Sequence, residues 1–378
     1  MSLIWENRQN DMPGTHVLIV GAGHYPHFPG HTAQKPLGQV NMCAHSALDL
    51  AQWMIGSLQN PAAPLQSVRL LISDANVSLQ AQQQYDHEIR PATVGQVRAA
   101  FRDWKRDLAA VPGSVAVFYF AGHGFGNGEN QCLLMEDYNL DDAAALDGAI
   151  NYTNLSQSVN AITNLSGAWF FIDACRDATV EQTARDNWGL KLDHKVPFLA
   201  TSVPCFQLFA AASGRQALGV DGQPTFFARA LKKALSENGY AESPDGWAVK
   251  AFALHGAVAG NLELISEEAK IPKSKRQRAE ARTPEPNQPL HFRSADNPPA
   301  FLVKVTCQPE EHNACHTFSY EIQGSNNWVS REPDAAAWYA NVPPGFYQFK
   351  AVNGAGKATH AEKIIQLHFV EVYLKGVV

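Results

Sequence analysis

With 378 residues, 45% of them hydrophobic and 17% charged, the chain has the composition of a globular protein of two or three domains. A formal charge of -6 argues against a broad nucleic-acid-binding surface, and no apolar run reaches the length of about eighteen residues that a membrane-spanning helix needs. The N-terminal residues, from Met1 to Asp11, lack a basic stretch followed by an apolar one, so a soluble, cytoplasmic protein is expected, with Cys43, Cys132, Cys175, Cys205, Cys307 and Cys315 reduced.

The run His16 to Gly21 is β-branched and ends in glycine, the pattern of a first buried parallel strand. Gly21-Ala22-Gly23-His24 lacks the third glycine of a dinucleotide site. A Gly- and Pro-punctuated loop follows to Gln39, then a helix over Met42 to Leu58 and a strand over Val68 to Ile72. Thr93 to Leu108 has helical spacing, with Val94, Val97, Phe101 and Trp104 on the core face and Arg98, Arg102 and Lys105 away from it. Val115 to Ala121 is a continuous apolar strand that ends in Gly122-His123-Gly124.

A short strand over Cys132 to Met135 and a helix over Thr153 to Leu165 precede the apolar run Ala168 to Ala174, which feeds into Cys175 and Arg176. Pro204 to Ser213 supplies one more strand, and Thr225 to Leu235 a helix turning Phe226, Phe227, Ala230 and Leu231 inward. Strands alternating with helices make the fold class α/β, a mostly parallel sheet flanked by helices, over residues 1–268.

Residues 269–299 break this pattern: Lys273, Lys275, Arg276, Arg278 and Arg282 precede Pro284, Pro286 and Pro289, as in a solvated basic and proline-rich linker. From Ala300 onward, alternating runs at Phe301–Val305, Thr317–Ile322, Ala336–Val342, Phe346–Val352 and Ile364–Leu374 imply an antiparallel all-β sandwich over 300–378. The turn Asn341 to Tyr347 loosely resembles that of immunoglobulin-like or transthyretin-like modules.

Functional groups in an open parallel sheet collect beyond the carboxyl ends of its strands, so His123 and Cys175 should emerge on one edge. A thiolate there is a nucleophile for acyl transfer, and a neighbouring imidazole can take its proton. The pair stands 52 residues apart, close to the separation of about fifty between histidine and cysteine in caspases.

Phe118-Tyr119-Phe120-Ala121-Gly122-His123-Gly124 and Ile172-Asp173-Ala174-Cys175-Arg176 resemble the two active-site motifs of the caspase and metacaspase superfamily of cysteine peptidases. The resemblance implies Cys175 as nucleophile, His123 as its partner, and backbone N–H groups of Gly124 and Cys175 as the oxyanion hole. Where caspases have glutamine two positions before the cysteine, this chain has Asp173, as metacaspases do. A carboxylate there would repel a substrate aspartate and pair with arginine or lysine, with arginine bidentately, so cleavage after Arg or Lys is expected. A second acid usual in metacaspases falls at Ser46, with Asp49 one turn on, and Ser213 falls in the loop that lines the substrate channel.

Protein or peptide substrates are therefore expected, with neither nucleic acid nor membrane as partner. Caspase relatives are often processed just after the nucleophile, which makes Arg185, Lys191 and Lys195 candidate processing sites for the enzyme itself or an activating protease. No cofactor or metal is expected. Calcium is the alternative the resemblance raises, but positions where calcium-dependent relatives carry acids read Asn154 and Leu155, and Glu136, Asp137, Asp141 and Asp142 read as solvated loop acids. A regulatory protein could act through the sandwich, and family analogy suggests bacterial defence or regulated cell death. Two readings of another kind keep the same residues: an inactive caspase-like scaffold that binds partners through the sandwich, and a transamidase or ligase using the same dyad.

Overall fold

The apolar runs of the first half become strands of one sheet. The structure, a computed structural model, describes residues 2–9, 11–32, 38–127, 130–175, 188–194, 203–211, 218–282, 286 and 289–376. In chain order its elements are β1 (Leu3–Glu6), β2 (Thr15–Ala22), α1 (Asn41–Ser57), β3 (Leu65–Ser73), α2 (Ala75–Tyr85), α3 (Val94–Ala110), β4 (Val115–Ala121), β5 (Gly124–Asn127), β6 (Asn130–Leu134), β7 (Ala149–Asn151), α4 (Tyr152–Asn160), β8 (Gly167–Asp173), β9 (Cys205–Phe209) and α5 (Phe226–Lys233). There follow β10 (Tyr240–Ser243), β11 (Gly246–Val249), α6 (Ala251–Glu268), β12 (Glu280–Arg282), β13 (Phe292–Arg293), β14 (Phe301–Gln308), β15 (His316–Ile322), β16 (Val329–Arg331), β17 (Trp338–Val342), β18 (Gly345–Asn353), β19 (Ala358–Ile365) and β20 (Phe369–Lys375). They divide into two compact units, Met1–Lys232 with Gln277–Phe292, and Lys233–Arg276 with Arg293–Val378.

The first unit holds a seven-stranded sheet in the order β1-β3-β2-β4-β8-β9-β12. Its five central strands are parallel, and β1 and β12 run antiparallel along the two edges. Every residue of β2, β3, β4 and β8 is buried, as expected when helices cover both faces of a parallel sheet. On one face Leu18, Val20, Phe118, Phe120, Phe170 and Ile172 share a core with α3 and α4. On the other, α1 lies so close to β2 that a Cβ on Gly21 would stand 2.5 Å from that of Ala47.

Local chemistry sets the helix ends. Thr93 Oγ1 accepts from the Gln96 N–H at the start of α3, and Asp74 Oδ1 accepts from Asn76 and Val77 at the start of α2. The inward residues expected on α3 and α5 are all buried. The helix expected to reach Leu165 ends at Asn160, and the turn beyond it is closed by the Ile162 N–H on the Val159 carbonyl.

Composition set residues 269–299 apart as a linker. Within that stretch Glu280–Arg282 forms β12, paired register for register with Phe209, Leu208 and Gln207, and the buried Gln277 amide donates to the Ala210 carbonyl. Three of its cations meet acids: Arg276 pairs with Glu263 and Glu267, Lys273 with Glu310, and Arg282 with Glu280.

In the second unit, the sheets β17-β14-β20 and β16-β15-β18-β19 share a core of Phe301, Val303, Val305, Phe318, Phe349 and Val372. This is the expected sandwich with two corrections. β14 and β20 are parallel, and the run Ile364 to Leu374 is two strands, because the chain leaves one sheet at Ile365 and enters the other at Phe369. Among the described residues no helix is long and apolar enough to cross a membrane.

Candidate active site

Adjacent parallel strands β4 and β8 put Ala121 directly opposite Asp173. His123 and Cys175 each lie two residues beyond that pair, so the sequence separation of 52 becomes proximity at one sheet edge. The Gly122 N–H donates to the Asp173 carbonyl at 3.1 Å and ties the two strand ends together. Cys175 is half-buried and in no disulfide. A Cβ on Gly124 would stand 3.0 Å from that of Ala174 and 3.3 Å from the Cys175 carbonyl oxygen, so its backbone lies against the turn that carries Cys175.

The His123 ring is clasped. Its centroid lies 4.9 Å from that of Tyr25 and 5.3 Å from that of Phe28. Its backbone N–H donates to Tyr25 Oη at 2.9 Å, and that hydroxyl donates to the Leu134 carbonyl at 3.1 Å. Nε2 lies 2.9 Å from the Gly38 carbonyl oxygen. A carbonyl only accepts, so Nε2 carries the proton of the neutral ring and the lone pair sits on Nδ1. Gly38 has φ +73, and a Cβ there would fall 2.3 Å from the Phe28 ring; only glycine presents that carbonyl. Burial holds the His123 pKa below the usual histidine value despite the Gly38 hydrogen bond, so the ring is neutral at pH 7.

Asp173 points to the face covered by α1. Its side chain is 1% exposed. Oδ2 accepts from Tyr119 Oη at 3.0 Å and from Thr225 Oγ1, while Oδ1 has no hydrogen-bond partner among the described residues. Burial raises its pKa to about 7, against the downward pull of Thr225 and Tyr119. Ser46 is buried beside this group: its Oγ accepts from the Thr225 N–H at 2.9 Å and donates to the Met42 carbonyl at 2.7 Å. Asp49 points elsewhere, pairing with Lys232 at 2.6 Å.

The loop acids have local partners. Both Asp137 oxygens accept from the Val94 N–H that opens α3, and Asp141 accepts from the Ala143 N–H. Asn154 exchanges hydrogen bonds with the Asp193 backbone. No group of three or more His, Cys, Asp or Glu among the described residues is arranged to hold a metal ion. Lys191 is exposed, between Leu190, bonded to the Ala149 and Asn151 backbones, and buried Leu192. Arg185, Lys195 and Ser213 lie outside the described residues.

Sequence reading missed the roles of Tyr25, Gly38, Tyr119 and Thr225 around these groups. Tyr119 carried a usable signal, since a buried tyrosine needs a partner for its hydroxyl. Asp173, diagonal to it on the neighbouring strand, is the polar group in reach.

The caspase domain family profile matches residues 16–280, and the chain belongs to that family of cysteine peptidases. The uncharacterized protein y4kE of Sinorhizobium fredii is 29% identical over 192 residues, covering 49% of this chain and 54% of the relative. The chain thus spans about half the length of the curated relative it matches. Caspase-1 from Spodoptera frugiperda aligns over 72% of this chain and 89% of its own, with 12% identity and a TM-score of 0.44.

Proposed function

We propose that the protein is a cysteine endopeptidase that cleaves peptide bonds after Arg or Lys. His123 Nδ1 takes the Cys175 thiol proton, and Sγ attacks the carbonyl carbon before the scissile bond. The backbone N–H groups of Gly124 and Cys175 receive the oxyanion. The amine leaves with the proton held on His123, and water, deprotonated by the same ring, releases the acid product and the thiol. The observation that carries the specificity is the Asp173 carboxylate, buried two residues before the nucleophile with Oδ1 unpartnered among the described residues. A substrate guanidinium or ammonium supplies the cation that no described residue brings to it, and must part the cover over the pocket to reach it. This reading invokes no calcium: Asp137 and Asp141 accept hydrogen bonds from the Val94 and Ala143 N–H groups.

Peptides differing only in Arg, Lys or Asp before the scissile bond test this, with and without calcium. Release of free acid from the Arg and Lys peptides supports it; preference for Asp, or transfer to an added amine in place of water, contradicts it. Tyr25→Phe, which leaves the His123 N–H without its acceptor, is expected to lower kcat about tenfold with KM nearly unchanged. Steady-state kinetics decides it.

Activation by a cut after the nucleophile is part of the same reading. Lys191 is held on both sides by Leu190 and Leu192, so Arg185 or Lys195 is the expected site. Mass mapping of active protein checks this, and a fully active, uncut chain contradicts it. The setting, bacterial defence or regulated cell death, rests on family analogy alone.

A further inference from the structure

The hydrogen-bond directions around Asp173 decide how it can hold a cation. Thr225 Oγ1 accepts from the Ala228 N–H at 3.0 Å as it caps α5. Its single proton goes to Asp173 Oδ2. The neighbouring Ser46 hydroxyl lies 3.3 Å from Thr225 Oγ1, but its own proton has the shorter path to the Met42 carbonyl. Tyr119, buried in β4, gives its proton to the same Oδ2. A carboxylate oxygen accepts two good hydrogen bonds, so Oδ2 is filled and, among the described residues, Oδ1 is open. The bidentate arginine pair needs both oxygens, whereas an ammonium needs only one.

We propose that Tyr119 and Thr225 are specificity-determining residues: they close one oxygen of Asp173, so the subsite recognises positive charge through Oδ1 alone and takes lysine about as well as arginine. This rests on the assignment of Asp173 to the substrate cation and differs from the bidentate pairing expected from sequence. Ser46, standing where relatives carry a second acid, adds no charge and anchors Thr225 through its backbone N–H. Among the described residues the other titratable groups facing the carboxylate are Tyr119 on β4 and Cys43 on α1, which also faces Cys175. Burial raises the pKa of both well above the usual values and keeps them neutral at pH 7. Among the described residues Asp173 therefore sets the charge of the subsite, and the two hydroxyl donors hold down the pH at which it ionises.

The test is kcat/KM across pH for three peptides that differ only in arginine, lysine or citrulline before the scissile bond. Wild-type protein is expected to handle arginine and lysine within about fivefold of each other, and both at least about 30-fold better than citrulline. An arginine preference of about 100-fold or more means that both oxygens are engaged, which overturns the inference and leaves the proposed Arg/Lys specificity standing. Equal turnover of citrulline would overturn that specificity itself. In Thr225→Val the acid limb for both cationic peptides is expected to move to higher pH, because a donor to the carboxylate is gone, and Thr225→Ser should restore it. Loss of the α5 cap lowers the thermal midpoint of Thr225→Val but does not move a pH limb. An unmoved limb in the valine variant, or a serine variant that fails to restore it, overturns the role of Thr225.

Discussion

Cys175→Ala is expected to lose peptidase activity by roughly 10⁴-fold or more while unfolding at nearly the wild-type temperature. The loss follows from chemistry, since alanine has no electron pair to attack a carbonyl. Retained stability follows from position: Cys175 is half-buried just beyond a strand end, and the change removes one sulfur atom from outside the fully buried core. His123→Ala should lose activity on a similar scale but should also cost about 1–3 kcal/mol of stability, because its ring fills the space between Tyr25 and Phe28. Kinetics on an arginine peptide with thermal denaturation of both variants separates the two roles. A Cys175→Ala protein with wild-type turnover would remove Cys175 from the mechanism.

Asp173→Asn is expected to lower kcat/KM for cationic peptides by roughly 30- to 1000-fold, the cost of removing one partner of a buried charge pair, about 2–4 kcal/mol. It should also change two pH dependences. The Asp173 carboxyl is raised from 3.8 to about 7 by burial, so in wild type the ionised form, the one proposed to bind a cation, is complete only above pH 7. The acid limb for arginine peptides should therefore lie near 7 in wild type. In the variant it should move to lower pH, where His123 titrates below its ordinary value.

Stability moves the other way. A raised carboxyl pKa means that the folded chain holds the proton more tightly than the unfolded chain. Its contribution is full below about pH 4 and is lost as pH rises through about 7. Asparagine does not titrate, so the variant should gain on wild type between pH 5 and pH 8 in urea midpoint. A variant that loses stability relative to wild type over that interval would contradict the burial argument.

The strands that build the site were legible because each is an unbroken apolar run, and runs of that length buried on both faces carry one clear signal. β12 was not legible, since Glu280-Ala281-Arg282 sits in a basic, proline-rich stretch and becomes a strand only because β9 offers an unpaired edge. The break between β19 and β20 was hidden because apolar residues continue across it. At the site, His123, Cys175 and Asp173 stood out because polar groups interrupt strand ends. Thr225 was read only as the start of a helix, and Ser46, through family resemblance, as the place of a missing acid. Their hydrogen bonds to the Asp173 cluster depend on α1 and α5 packing over one face of the sheet, a tertiary fact no local pattern encodes. Gly38 was hidden for a related reason: its contribution is a backbone carbonyl, and any residue type has one.

The central claim is that Cys175 is a nucleophile activated by His123 and addressed by a cationic side chain. It is tested most directly by incubating the protein with an arginine peptide carrying a thiol-reactive carbonyl warhead and locating the adduct by peptide mass mapping. One adduct is expected, on Cys175, formed far more slowly in His123→Ala and slowed when the arginine of the probe is replaced by aspartate. Labelling of the exposed Cys315 in preference to Cys175, or labelling of Cys175 that is indifferent to both His123 and the probe's charge, would contradict the account.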